Sequence, residues 1–427
     1  MIQISTVKRV QGLVTPPGDK SISHRALILT AMAVGRSELF NLAPGEDVHC
    51  TRNALNNLGV QFKSIDKGLM ALGVPKHGGY REPGLTLNCG NSGTTARLLL
   101  GLLAGRSLFA TLTGDASLKR RPMGEVVVPL RKMGAQIIGP RKGDRLPLAI
   151  QGGHLDPVDW KIETPSAQTK SALLIAAVQA VGESRIREAA PTRDHTERLM
   201  KEMGAEVRVK KGVFIVATSV LRPISLEIPG DFSSGAFFLA LAAIHPKADV
   251  VIEGVGLNPT RTGLLDALKK MGAKVGMSLT SRRGDIEPFG NVRVRSSSLR
   301  GISIDGREAL RMIDELPLFA LAATQAIGRS VVTGVPQLRM KESDRILGIV
   351  QSLRAMGARI RETADGFSVE GPTPLRGAEF SRITDHRILM MLAIAGCVAE
   401  GTTSIHHDRW VAVSYPGFFE DLQRIGR

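Results

Sequence analysis

Cysteine is scarce. Cys50, Cys89 and Cys397 are the only three in 427 residues, with no C-x-x-C spacing. That excludes a disulfide framework and a zinc knuckle, and the three read as small buried hydrophobes of a reducing compartment. Aromatic residues make up 4%, with two Trp and two Tyr, too few for base-stacking platforms. The longest nearly uncharged stretches, Ala172–Gly182 and Ser233–His245, fall short of the ~18–20 residues that span a bilayer. The opening Met1-Ile-Gln-Ile-Ser lacks the basic and then apolar segments of a signal peptide. A cytoplasmic protein without membrane spans is the expectation. Also missing are G-x-x-x-x-G-K-[ST], a strand-led G-x-G-x-x-G and G-x-S-x-G. His24, His195, His386 and the pair His406-His407 lack the carboxylate spacing of a metal site and read as structural.

Apolar residues, at 43%, are plentiful enough for packed cores, and the length allows two or three domains at roughly 150 residues each. Lys and Arg number 56 against 40 Asp and Glu, a net charge of +16. Nucleic acid or small, multiply anionic substrates would suit such a surface. The basic residues are spread along the chain with no basic tail, which favours the small molecules.

An internal repeat organises the rest. Leu55-Asn-Asn-Leu-Gly59, Leu130-Arg-Lys-Met-Gly134, Leu199-Met-Lys-Glu-Met-Gly204, Leu268-Lys-Lys-Met-Gly272 and Leu353-Arg-Ala-Met-Gly357 share one phrase, with a worn copy at Leu422-Gln-Arg-Ile-Gly426. The copies recur about every 70 residues, and each reads as an amphipathic helix stopped by a left-handed glycine. A second phrase is a polar cluster followed by an apolar helix. It occurs before Ala26–Gly35, Ala96–Gly105, Thr169–Gly182, Gly235–Ile244, Leu318–Gly328 and Arg387–Gly396. Helices apolar all round are buried. Six α/β units result, each with one buried and one amphipathic helix.

The polar clusters sit at helix starts, where Ser, Thr, Asp and Asn serve as ordinary N-caps. Capping does not call for the Lys20 and Arg25 that Asp19-Lys-Ser-Ile-Ser-His-Arg25 carries. Cations in a first turn oppose the helix dipole, which makes sense if an anion sits there. Four more segments hold basic residues in awkward company: Lys119-Arg-Arg-Pro-Met123, Arg193-Asp-His-Thr-Glu197, Lys341-Glu-Ser-Asp-Arg345 and Thr384-Asp-His-Arg387. The second and third read as helix starts, with Lys341 and Arg345 repelling at i, i+4 unless bridged. Singly each reads as structural; together they suit a doubly anionic site. Arg282–Asp285 and His406-His407 read as solvent-facing polar residues.

The motifs Gly18-Asp-Lys-Ser-Ile-Ser-His-Arg25, Gly90-Asn-Ser-Gly-Thr-Thr95, Arg121-Pro-Met123, Ser166-Ala-Gln168, Asn258-Pro-Thr-Arg261, Asp314-Glu-Leu-Pro317, Lys341-Glu-Ser-Asp-Arg345 and Asp385-His-Arg387 resemble, in order, those of the 5-enolpyruvylshikimate-3-phosphate synthase family. The resemblance implies an inside-out α/β barrel fold in two domains, each of three β-α-β-α-β-β repeats. The continuous domain would span 20–230 and the discontinuous one 1–19 plus 231–427, with the active site in the cleft between them. It also implies transfer of the enolpyruvyl group of phosphoenolpyruvate to the 5-hydroxyl of shikimate 3-phosphate, in aromatic amino-acid biosynthesis, with glyphosate as a family inhibitor. No metal or organic cofactor is implied.

By resemblance, Lys20, Ser21, Arg25, Ser166, Ala167, Gln168, Arg193, Asp314 and Lys341 contact shikimate 3-phosphate. Lys20, Asn91, Gly93, Arg121, Gln168, Glu342, Arg345 and Arg387 surround phosphoenolpyruvate. Asp314 would be the base on the 5-hydroxyl, with Glu315 beside it as the competing candidate. Glu342 would protonate the methylene carbon, and Lys20 would assist. Arg193, and Val413 before Ser414-Tyr-Pro416, match the second, bacterial class. A monomer that binds neither nucleic acid nor membrane is expected. The alternatives are an enolpyruvyl transferase acting on UDP-N-acetylglucosamine, whose usual reactive Cys is missing from Lys119–Met123, and an RNA-phosphate-binding protein.

Overall fold

The computed structural model describes residues 1–74, 79–282 and 285–427, so part of the Arg282–Asp285 loop lies outside the described residues. The chain divides into two compact units. One is Gly18–Ile228; the other joins Met1–Pro17 to Pro229–Arg427.

The Gly18–Ile228 unit holds three four-stranded sheets. Their orders are Ser225–Glu227, Gly35–Phe40, Gly68–Gly73, Gln61–Ile65; then Leu87–Asn88, Phe109–Thr113, Leu148–Gln151, Gln136–Ile138; then Asp159–Ile162, Glu183–Glu188, Val213–Ala217, Val207–Lys210. The first pair in each is parallel and the others antiparallel. A parallel pair needs a crossover. In the second and third sheets the helices Gly93–Ala104 and Ala167–Ala177 supply it. In the first sheet, Ser225–Glu227 arrives from the end of the unit to pair with the strand that follows Lys20–Met32.

The other unit repeats the plan. Lys274–Leu279, Phe289–Arg295, Ala248–Gly256 and Val10–Val14 form one sheet, and Ser303–Ile304, Gly328–Val332, Gly366–Gly371 and Arg359–Thr363 another. The sixth sheet departs from the β-α-β-α-β-β expectation with only three strands, Ile2–Ser5, Thr402–Ile405 and Glu379–Phe380. Residues 1–17 belong to this unit because their two strands each complete one of its sheets.

The buried helices of this unit are Phe232–Ile244, Leu316–Thr324 and His386–Gly396. All six buried helices lack a polar face, and their residues beyond the first turn are almost entirely enclosed. Gly101 lets two of them touch: a Cβ there would lie 2.3 Å from the Ala172 carbonyl oxygen. The amphipathic helices end as their phrase requires, with Gly59, Gly134, Gly204, Gly272 and Gly357 at φ of 94, 110, 85, 98 and 92°. That left-handed region costs a residue with a Cβ extra energy. The worn copy at Gly426 is extended instead, at φ −90°. Among the described residues no helix is long and apolar enough to cross a membrane.

Candidate active site

Five buried helices begin with a side-chain cap. Asp19 accepts from Ile22 N (2.9 Å), Ser92 from Thr95 N (3.1 Å), Ser166 from Thr169 N (3.2 Å), Asp231 from Ser233 N (2.7 Å) and Asp385 from Arg387 N (3.0 Å). Each such cap contributes about 1 kcal/mol. One cap satisfies only part of a helix end, so capping leaves further backbone N–H groups there.

In the Gly18–Ile228 unit the cations around these starts are held by neighbours. Gly18 permits the entry: a Cβ would fall 1.6 Å from the Asn41 carbonyl oxygen. Lys20 Nζ lies 3.0 Å from Asp47 Oδ2. Arg25, buried, donates from Nε to Thr196 Oγ1 (2.8 Å), from Nη1 to Ser21 O (2.8 Å), and from Nη2 to Ser171 Oγ (2.8 Å) and Ala167 O (3.4 Å). Arg193 Nη1 donates to Ser21 Oγ at 3.3 Å. Lys20, Ser21, Arg25, Ala167 and Arg193 are thus one neighbourhood.

Gln168 belongs to a second knot. Its Oε1 accepts from Arg97 Nη1 (2.8 Å) and its Nε2 donates to Thr94 Oγ1 (2.8 Å). Arg97 also donates to Gly93 O (3.3 Å) and Pro122 O (2.7 Å), tying three motifs together. Arg121 Nη2 donates to Asn91 Oδ1 at 2.6 Å. A Cβ on Gly93 would lie 2.6 Å from Arg97 Nη1 and 3.4 Å from Arg121 Nη1, so the glycine leaves both guanidinium groups their positions. Sequence reading passed over Arg97, although the signal was present: it is an arginine in an otherwise apolar helix, as Arg387 is.

The other unit centres on Arg345, which is 1% exposed. Its Nε lies 2.9 Å from Asp385 Oδ2, Nη1 3.1 Å from Asp314 Oδ1 and Nη2 2.5 Å from Glu342 Oε2. Burial disfavours the Arg345 cation, but the three carboxylates outweigh it and raise its pKa further. Burial likewise opposes the Asp385 charge, yet Arg345 holds that carboxyl below its usual range. Arg387 Nη2 reaches Asp314 Oδ2 at 3.4 Å. A guanidinium has five N–H groups, so these three contacts leave one N–H on each Nη of Arg345. Glu315, by contrast, is buried, with Ser233 Oγ donating to it and Arg261 Nη2 donating to that hydroxyl (2.8 Å).

One local expectation changes. The helix after Lys341 begins at Arg345, with Asp344 as its cap, so Lys341 precedes it and the i, i+4 repulsion does not arise on a helix surface. The segment Arg193-Asp-His-Thr-Glu197 does start a helix, at His195, and the Asp194 carboxylate before it pairs with Arg198 (2.8 Å) instead of capping. Cys89 and Cys397 are buried as expected, while Cys50 is only half-buried; partial burial, with Asp47 and Glu46 adding to it, pushes the Cys50 thiol up to about 11, and burial pushes Cys397 up to about 12.

His24 connects the two knots of its unit. Its Nδ1 lies 2.7 Å from Thr51 Oγ1, which lies 2.7 Å from Thr95 Oγ1, which in turn donates to Ser92 Oγ at 2.8 Å. The buried Nε2 has no hydrogen-bond partner. Burial, helped by Lys20 and Arg25, holds the imidazole well below its ordinary value. A base whose pKa falls on folding binds fewer protons folded than unfolded. Stability is therefore full above about 6.5 and declines as pH falls toward the folded value, by up to about 1.4 kcal/mol per unit. Urea midpoints of the protein and of His24→Asn, taken at pH 7 and 5.5, are expected to diverge, with the histidine form losing more.

The fold so built is that of the enolpyruvyl transferases. It is shared at the level of fold alone with the enolpyruvyl transferase NikO from Streptomyces tendae, with TM-score 0.78, 16% identity, and coverage of 99% of this chain and 96% of that one. An EPSP synthase from Acinetobacter baumannii superposes with TM-score 0.86 at 38% identity, over 99% of this chain and 98% of that one. Two 3-phosphoshikimate 1-carboxyvinyltransferases, from Desulforamulus reducens and Geobacillus kaustophilus, are 43% and 44% identical over 99% of this chain, covering 98% and 99% of their own lengths. The family profile described as EPSP synthase (3-phosphoshikimate 1-carboxyvinyltransferase) matches residues 4–422. The chain belongs to the EPSP synthase family.

Proposed function

We propose that the clusters of the two units carry complementary parts of one reaction, transfer of the enolpyruvyl group of phosphoenolpyruvate to the 5-hydroxyl of shikimate 3-phosphate with release of phosphate. Ser21, Arg25, Arg193, Ser166, Ala167 and Gln168 take the acceptor, its phosphate at the Arg25 and Arg193 guanidinium groups, with Lys341 adding a further cation. Lys20, Arg121, Arg345 and Arg387 clamp phosphoenolpyruvate, with Asn91 and Gly93 against it, because guanidinium forks match carboxylate and phosphate oxygens. The acceptor falls chiefly to one unit and the acid–base groups to the other, so turnover needs both.

The chemistry is addition followed by elimination. Asp314 takes the 5-hydroxyl proton as that oxygen attacks C2 of phosphoenolpyruvate, while Glu342 delivers a proton to C3, turning methylene into methyl. The tetrahedral intermediate then loses a proton from that methyl as its phosphate leaves, restoring the double bond in the product. The observation that carries this reading is Asp314 held between Arg345 and Arg387: a carboxylate fixed beside two anion-binding groups. It can take a proton from a hydroxyl next to a bound anion.

The test is phosphate release from phosphoenolpyruvate with shikimate 3-phosphate, with UDP-N-acetylglucosamine, and with neither. Release that depends on shikimate 3-phosphate alone is expected. Silence with that acceptor from folded protein sinks the assignment.

A further inference from the structure

Lys170 is 1% exposed, on the buried helix Ala167–Ala177 and beside the acceptor motif. Its Nζ lies 2.7 Å from Glu197 Oε1 and 3.2 Å from Glu188 Oε2, donates to Thr192 O at 3.4 Å, and sits 4.7 Å from the centre of the Phe214 ring. Thr192 Oγ1 donates in turn to Glu188 at 2.7 Å. Thr192 is thus gripped by both its carbonyl and its hydroxyl, and the next residue is Arg193, which reaches Ser21. Glu197 follows Thr196, whose hydroxyl accepts from Arg25 and donates to Ser171 at 2.7 Å. One buried ammonium group therefore brackets the segment that supplies Arg193 and the hydroxyl that orients Arg25.

Stability does not account for such a cluster. Burying a cation with two carboxylates costs several kcal/mol per ion, and apolar replacements of similar volume are often neutral or stabilising. We infer that Lys170, with Glu188 and Glu197, is a positioning device that sets Arg193 and Arg25 at the spacing of the acceptor's phosphate. Lys170 touches no substrate. The inference rests on the assignment of Arg25 and Arg193 to that phosphate.

Arg25 and Arg193 hold a group remote from the reacting atoms, so misplacing them removes binding that ground state and transition state share. That raises KM and leaves kcat nearly unchanged. Lys170→Met strands two buried carboxylates, so the decisive variant is Lys170→Met/Glu188→Gln/Glu197→Gln, which removes all three charges together. Its KM for shikimate 3-phosphate is expected to rise about tenfold or more, with kcat and the KM for phosphoenolpyruvate within about threefold, at a urea midpoint near the parent's. Thr192→Val changes no charge and keeps the shape while cutting one anchor; it is expected to show the same split at about threefold. Calorimetric titration with shikimate 3-phosphate reads the affinities directly. An acceptor KM within about twofold of the parent's in a folded triple variant, or in Thr192→Val should the triple fail to fold, overturns the inference. Arg25→Ala is the control. An unchanged acceptor KM there overturns the acceptor assignment, and the inference with it; a large rise beside an unchanged triple variant overturns the inference alone.

Discussion

Asp314→Asn is expected to fold, to bind shikimate 3-phosphate as before, and to turn over about 10²- to 10⁴-fold more slowly, the usual contribution of a positioned general base. Both Asp314 oxygens are in use, one facing Arg345 and the other Arg387. The amide keeps one acceptor but turns an NH2 toward the other guanidinium, costing on the order of 1–3 kcal/mol of stability. That cost does not touch Arg25 or Arg193, which lie in the other unit. Single-turnover rates beside calorimetric acceptor binding separate the two effects. Near-parental turnover would remove Asp314 from its role and pass the question to Glu342, where Glu342→Gln is the matching experiment.

The second large effect is on stability. Replacing Arg345 by Met leaves Asp385, Asp314 and Glu342 without the cation they share, and breaking a buried pair in this way costs about 3–5 kcal/mol. Its pH dependence distinguishes it from ordinary cavity formation. In the parent, Arg345 holds the Asp385 carboxyl low. A depressed carboxylate adds stability above its unfolded value of about 3.9, and that stability is lost as pH falls through the folded value. Without Arg345, burial and the nearby Glu342 carboxylate raise Asp385 against only the smaller pull of His386, so protonation on mild acidification relieves the variant. Urea midpoints between pH 7 and 5 should therefore rise for Arg345→Met while the parent's do not. A variant that weakens in parallel with the parent would mean the carboxylates do not depend on that cation.

Much of the architecture can be read from the chain because its determinants are local. The helix-ending glycine phrase repeats because a left-handed residue stops an amphipathic helix, and the five full copies end in one. The buried helices are visible because a helix with no polar face has nowhere to go but the core. Cations at helix starts were legible because they oppose the dipole there. Arg97 was legible by the same logic as Arg387 and was passed over. Lys170 was not legible: a lysine after Gln-Thr looks like any polar position in a first turn, and nothing local says that its partners lie at 188 and 197.

Sequence by itself determined the repeat, the buried and amphipathic character of each helix, the left-handed stops and the list of charged residues at helix starts. These follow from side-chain periodicity and backbone sterics acting over a few residues. Tertiary structure alone decided which charges share a partner. Arg345 meets Asp314 and Asp385 from helix starts 31 and 40 positions away, and Arg25 meets Ser171 and Thr196 across 146 and 171. It also decided that the two N-terminal strands complete sheets whose other strands lie beyond residue 247. Such pairings depend on packing that brings distant backbone together, and ion-pair energies that vary with distance and burial have no counterpart in the linear order of residues.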